Sequence, residues 1–317
     1  MDIVACIDKG FVMPTGVMMY SVCVNNPDVD IVFHIIADNS VTQRDKRDLE
    51  ETVTAFQEKQ VVFYLVVETM FASFPSLENR SDLSQAAYYR LMMSEILPDS
   101  IQKVLYLDGD IIVRDTLLPL WNTDLSNHAV AAIPDSWEGR MEFYDRLKYP
   151  PSLGYFNSGV LLINLAYWRE HAIASKFNDI LRNRAHDIFY HDQDVLNVLF
   201  KDCKVNLPIK YNMNSGFLWK TPEYDYWKYE REVLEARRSP VIVHFTGWKP
   251  WYVYQRHPHP FNSTWFRYQD QTRWKGVKFD KRPLKLQVIN YVADMLRRYG
   301  LKSPVSPSYY IDIPPVD

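Results

Sequence analysis

The chain has 317 residues, 47% of them hydrophobic and 24% charged, with a formal net charge of -3. That is long enough to bury a full core as one large domain, or one domain with an appended tail, and the apolar-to-charged balance is that of a globular protein rather than a disordered or fibrous one. No run reaches the roughly 20 apolar residues of a bilayer span, basic coverage is too narrow for nucleic-acid binding, and Cys6, Cys23 and Cys203, odd in number and scattered, have no zinc spacing.

The first residues, Met1 to Asp8, read as a short strand with no basic n-region, long apolar stretch or cleavage site before it. Together with thiols expected to be reduced, this suggests a cytoplasmic protein. Strand candidates follow at Ile3–Ile7, Ile31–Ala37, Val61–Val67, Val104–Asp108, Ala129–Ile133 and Gly159–Asn164, with helical patterns at Thr15–Asn25, Thr42–Lys59 and Ser84–Leu97 between them. This βαβαβ alternation predicts an α/β fold with a mostly parallel, doubly wound sheet and ligands at the carboxyl ends of its strands. Tyr167–Arg184 and Asp194–Phe200 read as further helices, and Val241–Phe245 as one more strand. Beyond Leu207 the pattern becomes irregular and rich in Pro, Trp and Tyr. A helical spacing returns over Lys285–Tyr299, before a Pro-rich stretch from Ser303 to Asp317.

Charge is unevenly spread. Arg273–Lys302 holds nine Lys/Arg against two Asp, a local +7, so the remainder carries -10. A basic, aromatic tail on an acidic body suggests contact with an anionic membrane surface, that is, peripheral attachment at the inner face of the membrane. The plainer alternative is a solvated basic helix.

The most telling stretch is Lys103-Val-Leu-Tyr-Leu-Asp108-Gly-Asp110-Ile-Ile-Val-Arg114. It is apolar on both alternations, as expected of a strand buried on both faces. Two carboxylates at the end of such a strand are costly unless a cation meets them. A hard divalent ion bridging to a phosphate suits their oxygen ligands. The D-x-D pattern also occurs at Asp28/Asp30, in an Asn-Asn-Pro-Asp turn where Asp is simply a good loop residue, and at Asp192/Asp194, where Asp192 reads either as a site residue or as a helix N-cap. His244 closes another apolar strand. Alone it reads as a core histidine, but Gly247 allows backbone to approach an anion and Lys249 offers a charge to phosphate.

Four runs carry a resemblance: Tyr106-Leu-Asp108-Gly-Asp110-Ile-Ile-Val113, Tyr155-Phe-Asn157-Ser158-Gly159-Val-Leu-Leu-Ile-Asn164, His191-Asp192-Gln193-Asp194-Val-Leu-Asn197, and His244-Phe-Thr-Gly247-Trp-Lys249-Pro-Trp251. In this order they resemble the retaining glycosyltransferases of family 8, above all the bacterial lipopolysaccharide galactosyl- and glucosyltransferases, with glycogenin more distant. The similarity spans Met1 to about Trp251. It divides the chain into a GT-A nucleotide-diphospho-sugar transferase domain, 1–251, and a basic aromatic extension, 252–317.

The resemblance implies a UDP-sugar donor, a saccharide or lipid-linked glycan acceptor, and manganese, with magnesium as the alternative. By position, Asp108, Asp110 and His244 would ligate the metal. Asp8 would meet the uracil, with Phe11 stacking on the base and Leu83 beside the nucleotide. Arg90 would lie near the donor sugar with Ser158. Asp135 and Asn157 would hold its hydroxyls, with Asp192 alongside. Gln193 would face the sugar opposite the leaving group, and Gly247 and Lys249 would hold the diphosphate. The first-strand loop departs from the family, reading Asp8-Lys9-Gly10-Phe11 where many relatives carry Asn-Tyr.

An amide at Gln193 is a poor nucleophile, so retention would proceed by same-face attack rather than through a covalent glycosyl-enzyme. The rival readings are a metal-dependent nucleotidyltransferase, for which Asp8–Thr15 lacks a Gly- and Arg-rich loop, and a non-catalytic sugar-nucleotide-binding protein, which would be expected to have lost a ligand.

Overall fold

The structure is a computed structural model and describes residues 1–66, 86–219, 227–247, 249–252, 259–278 and 284–302. Among these, seven strands form the main sheet: β1 (Asp2–Ile7), β2 (Ile31–Ala37), β3 (Lys59–Leu65), β4 (Lys103–Leu107), β6 (Val130–Pro134), β7 (Phe156–Asn164) and β8 (Lys204–Asn206), with β5 (Ile111–Val113), β9 (Met213–Asn214) and β10 (Ile242–His244) forming a second, smaller one. The main sheet runs β3-β2-β1-β4-β7-β6-β8. β1 pairs in parallel with β2 and β4, and β7 lies antiparallel between β4 and β6. Reversing β7 brings its first residues, Asn157 to Gly159, beside the carboxyl end of β4, where Asp108 N donates to Gly159 O at 2.9 Å.

The doubly apolar pattern of β4 has the expected cause. Leu105 and Leu107 face a core shared with Ile3, Ile7 and the helix Val12–Asn25, whereas Val104 and Tyr106 face a second core with Val4, Trp168 and Phe177. Chain beyond Asp108 leaves that sheet. β5 pairs antiparallel with β10, setting Ile111 opposite His244, and β10 pairs in parallel with β9. The Asp108-Gly109-Asp110 segment is thus the corner between two sheets, not the interior of one long strand.

Several elements differ from the sequence expectation for local reasons. Helix Gln43–Val53 opens on a capping box of Thr42 and Asp45 and stops short of Lys59, which instead starts β3 opposite Ile31. The Lys59 ammonium satisfies itself on the carbonyls of Pro27, Val29 and Gln57, and so tolerates burial. The single helix expected over Tyr167–Arg184 is two, Leu165–Glu170 and Ile173–Asn183, broken at Ala172 in the left-handed region (φ 47°). Ser84–Leu97 resolves, within the described residues, into short turns Ala86–Tyr89, Arg90–Met92 and Met93–Ile96.

Beyond Trp251, helix Asn262–Gln269 buries Trp265 in the first core, and the Trp274 ring lies where a side chain at Gly16 would stand. Arg273 pairs with Asp48 and Glu51. Helix Leu284–Arg298 buries none of its residues and exposes Leu284, Val288, Ile289, Tyr291 and Val292. No helix among the described residues is long and apolar enough to cross a membrane.

Candidate functional site

The corner between the sheets needs Gly109. A Cβ there would lie 2.6 Å from Thr15 Oγ1 and 3.0 Å from the Phe11 ring. Asp108 leaves β4 with Oδ1 held by the Tyr106 hydroxyl at 2.7 Å and by Arg90 Nη2 at 2.8 Å. Asp110 is buried; its Oδ1 lies 3.3 Å from His244 Nε2 and its Oδ2 is ion-paired with Lys249. Burial by itself would raise the Asp110 pKa, but Lys249 and His244 outweigh it and hold the carboxyl well below the usual range. His244 Nε2 is also 3.7 Å from Asp108 Oδ2, while its Nδ1 meets Asn212 Oδ1 at 3.0 Å.

One ligand atom from each of Asp108, Asp110 and His244 lies within 4.8 Å of the others. Gly159 completes the cradle, because a Cβ there would collide with the His244 ring and lie 2.7 Å from Asp108 Oδ2. Two carboxylates and one imidazole, packed so closely that a methyl group is excluded, fit a divalent cation.

Beside the cluster opens a cavity of about 430 Å³. Part of its lining is a polar network. Asn157 Nδ2 donates to Asp135 Oδ2 at 2.9 Å, Gln193 Nε2 donates to the same oxygen at 3.3 Å, and Ser158 N donates to Gln193 Oε1 at 3.0 Å. Burial raises the Asp135 pKa against the bonds from Asn157, Trp137 N and Gln193. Asp192 is buried too, 3.2 Å from Arg90 Nε. Burial pushes its pKa up to about 6 despite Arg90, with Asp108 adding to the rise. Arg90 therefore ties three parts of the site together, since its Nη1 also donates to Ser158 O at 2.8 Å and its guanidinium lies 4.3 Å over the Tyr106 ring.

Asp192 is not the N-cap considered as one reading of the sequence. Helix His191–Phe200 begins one residue earlier, after Tyr190. Asp194 instead accepts from the Phe189 and Tyr190 backbone amides at 2.7 and 2.6 Å and pairs with Arg146. His191 takes a left-handed backbone (φ 48°) next to Asp192, an uncommon conformation for a residue with a side chain.

Of the sequence candidates, Arg90, Asp108, Asp110, Asp135, Asn157, Ser158, Asp192, Gln193, His244, Gly247 and Lys249 all line this one cavity. Gly247 has φ 86°, a left-handed backbone that favours glycine, and among the described residues nothing beyond its chain neighbours comes within 4 Å of where a Cβ would stand. Asp8 and Phe11 lie apart from the cavity lining, at the end of β1. Asp8 accepts from Gly10 N at 2.7 Å and Phe11 N at 3.2 Å, and Phe11 packs edge-on to Trp251. Leu83 lies outside the described residues.

The structure adds residues that motif reading passed over. Trp137, Phe143 and Tyr190, whose rings touch one another, line the cavity, as do Trp219, Ser136, Ser215 and Gly216. Gly216 leaves no room for a Cβ against the Ser136 side chain. Asn212 supports His244 from behind. Gly159 was visible inside the Asn157-Ser158-Gly159 run, but the need for it was not.

Comparison with known proteins gives the family and the fold. The family model Glycosyl transferase family 8 matches residues 2–253. General stress protein A of Bacillus subtilis is 28% identical over 281 residues, 87% of this chain and 96% of that protein. The lipopolysaccharide 1,3-galactosyltransferase of Salmonella typhimurium is 28% identical over 260 residues, 80% and 73% of the two chains. Among solved structures, galactosyltransferase LgtC in complex with donor and acceptor sugar analogs superposes with a TM-score of 0.75 at 26% identity, covering 91% of this chain and 99% of that one. The GT-A fold and the mostly parallel sheet expected from the sequence are those observed.

Proposed function

Since the chain belongs to glycosyl transferase family 8, we propose that it moves a hexose, galactose or glucose, from a UDP-sugar to a saccharide acceptor such as a lipopolysaccharide or another surface glycan, with retention at the anomeric carbon. The observation that carries this reading is the convergence of Asp108, Asp110, His244 and Lys249 in the lining of one cavity with Asp135, Asn157 and Gln193. Asp108, Asp110 and His244 would hold manganese, or magnesium, which when bound would neutralise charge on a departing diphosphate.

The chain's own groups divide the remaining work. Lys249, ion-paired with Asp110, would turn its ammonium toward a phosphoryl oxygen of the donor. Asp135 and Asn157 offer acceptors and a donor to sugar hydroxyls. Ser158 N can only donate, so the oxygen of the Gln193 amide faces it and the nitrogen faces Asp135 and the Tyr155 hydroxyl. That fixed amide would supply a dipole to a donor sugar but no carboxylate nucleophile, which favours same-face attack over a covalent intermediate. Asp192 and Asp135 add negative charge near a sugar ring that becomes cationic in the transition state. The rings of Trp137, Tyr190 and Trp219 in the cavity lining would give an acceptor sugar apolar faces to lie against.

Melting temperature tests the donor assignment. UDP with Mn²⁺ should raise it in the wild type by mass action, and Asp110→Ala should abolish the rise. An equal rise in the variant would remove the cation site from the account. Helix Leu284–Arg298, with its exposed apolar side chains and the basic residues around it, supports peripheral contact with an anionic membrane surface.

A further inference from the structure

Several groups behind the cavity have hydrogen-bonding roles that cannot be exchanged, and together they orient a buried amide. The Gly159 N–H can only donate, and it meets Asn157 Oδ1 at 3.0 Å. The other end of that amide meets the Asp135 carboxylate at 2.9 Å. Asn157 therefore stands with its oxygen toward Gly159 and its nitrogen toward Asp135. Asn212 approaches the same Asn157 oxygen at 2.8 Å, so it presents Nδ2 there. Its Oδ1 is then turned to His244 Nδ1, 3.0 Å away. An amide oxygen only accepts, which places a proton on Nδ1, so the nitrogen left to give up its proton and offer a lone pair to a cation is Nε2, the one that faces Asp108 and Asp110.

We propose that Asn212 is a positioning residue with two separable duties: its Oδ1 locks His244 in the tautomer that offers Nε2 to the cation, and its Nδ2 ties that ligand to the polar lining of the cavity through Asn157. The proposal rests on reading Asp108, Asp110 and His244 as the cation site. Asn212 is fully buried and is not part of the cavity lining, so it acts only through its neighbours. It sits between the turn Ile209–Tyr211 and β9, and β9 pairs in register with β10, the strand that carries His244. Outer partners of this kind orient a metal-binding imidazole and set its basicity.

Two nearly isosteric substitutions separate the duties. Asn212→Asp keeps an acceptor for His244 Nδ1–H but loses the donor to Asn157. Asn212→Leu loses both. Mn²⁺ affinity is measured by electron paramagnetic resonance on the UDP-free full-length protein, and KM for the UDP-sugar by product release. Asn212→Leu is expected to weaken Mn²⁺ binding by about 10- to 100-fold, whereas Asn212→Asp binds Mn²⁺ no more weakly than wild type and raises KM.

Wild-type Mn²⁺ affinity in a folded Leu variant, or equal weakening in both variants, overturns the proposal. If the Leu variant does not fold, ¹⁵N spectra of His244 in the Zn²⁺-loaded wild type decide, with a proton on Nδ1 expected and a proton on Nε2 contradicting it. If the wild type binds no Mn²⁺, or Asp110→Ala binds it equally well, the cation-site reading itself fails and the proposal falls with it, an outcome distinct from unchanged Asn212 variants.

Discussion

Replacing Gly159 by alanine adds one methyl group at the most crowded point of the site. The new Cβ would overlap the His244 ring, 2.8 Å from Nδ1, and lie 2.7 Å from Asp108 Oδ2. Neither the backbone nor the ring can yield cheaply. β7 is paired with β4 through this region, Gly159 O accepts from Asp108 N, and His244 is buried with Nδ1 held by Asn212. Restoring an ordinary contact of about 3.5–4.0 Å requires both the imidazole and the carboxylate to move, by about 1 Å or more. Metal ligation tolerates only about 0.2 Å. Mn²⁺ affinity should therefore fall by at least about 100-fold, roughly 3 kcal/mol, while overpacking costs the fold about 1–3 kcal/mol. Titration with Mn²⁺ followed by electron paramagnetic resonance, beside a urea melt, measures both. A folded Gly159→Ala protein that binds Mn²⁺ within a few-fold of wild type would refute the cradle.

Other consequences are independent of that one. Asp110→Ala should lose nearly all transfer, whereas Gln193→Ala, having lost one oriented dipole, should retain activity reduced about 10²- to 10³-fold; equal and total loss in initial-rate assays would contradict same-face attack. The folded protein holds the Asp192 proton up to about pH 6, while the unfolded chain releases it near 3.8. Raising pH across that window, in chelator, should therefore destabilise the wild type by up to about 3 kcal/mol, and Asp192→Asn should lack this slope in denaturant midpoints. Reversing charge at Lys285, Arg297 and Arg298 should weaken sedimentation with anionic liposomes and spare UDP-sugar cleavage; wild-type sedimentation of the reversed protein would end the membrane proposal. That design leaves Trp274 in place over Gly16, which a deletion from Arg273 would not.

The parts of this molecule that can be read from its sequence are those where chemistry and burial conflict. Asp108, Asp110 and His244 stand out because charged or polar groups end apolar strands, and a one-dimensional pattern displays that conflict. β1, β2 and β4 were legible because strands buried on both faces leave near-continuous apolar runs, broken in β2 only by His34. Periodicity cannot say which sheet a three-residue run joins, so the departure of β5 toward β10 was invisible. Nor could it distinguish Asp192 from Asp194, since capping depends on where the helix starts, here after Tyr190. Asn212 lies in an irregular stretch and gains its meaning only from contacts with His244 and Asn157, far away in the chain. Gly159 likewise matters because of what fills the space beside it.

The most direct test of the central claim is release of UDP from UDP-glucose, UDP-galactose and UDP-N-acetylglucosamine, with Mn²⁺ and then with chelator. The account predicts release from a hexose donor, galactose or glucose, abolished by chelator and absent in Asp110→Ala. No release from any donor, together with no Mn²⁺-dependent stabilisation by UDP, would contradict it.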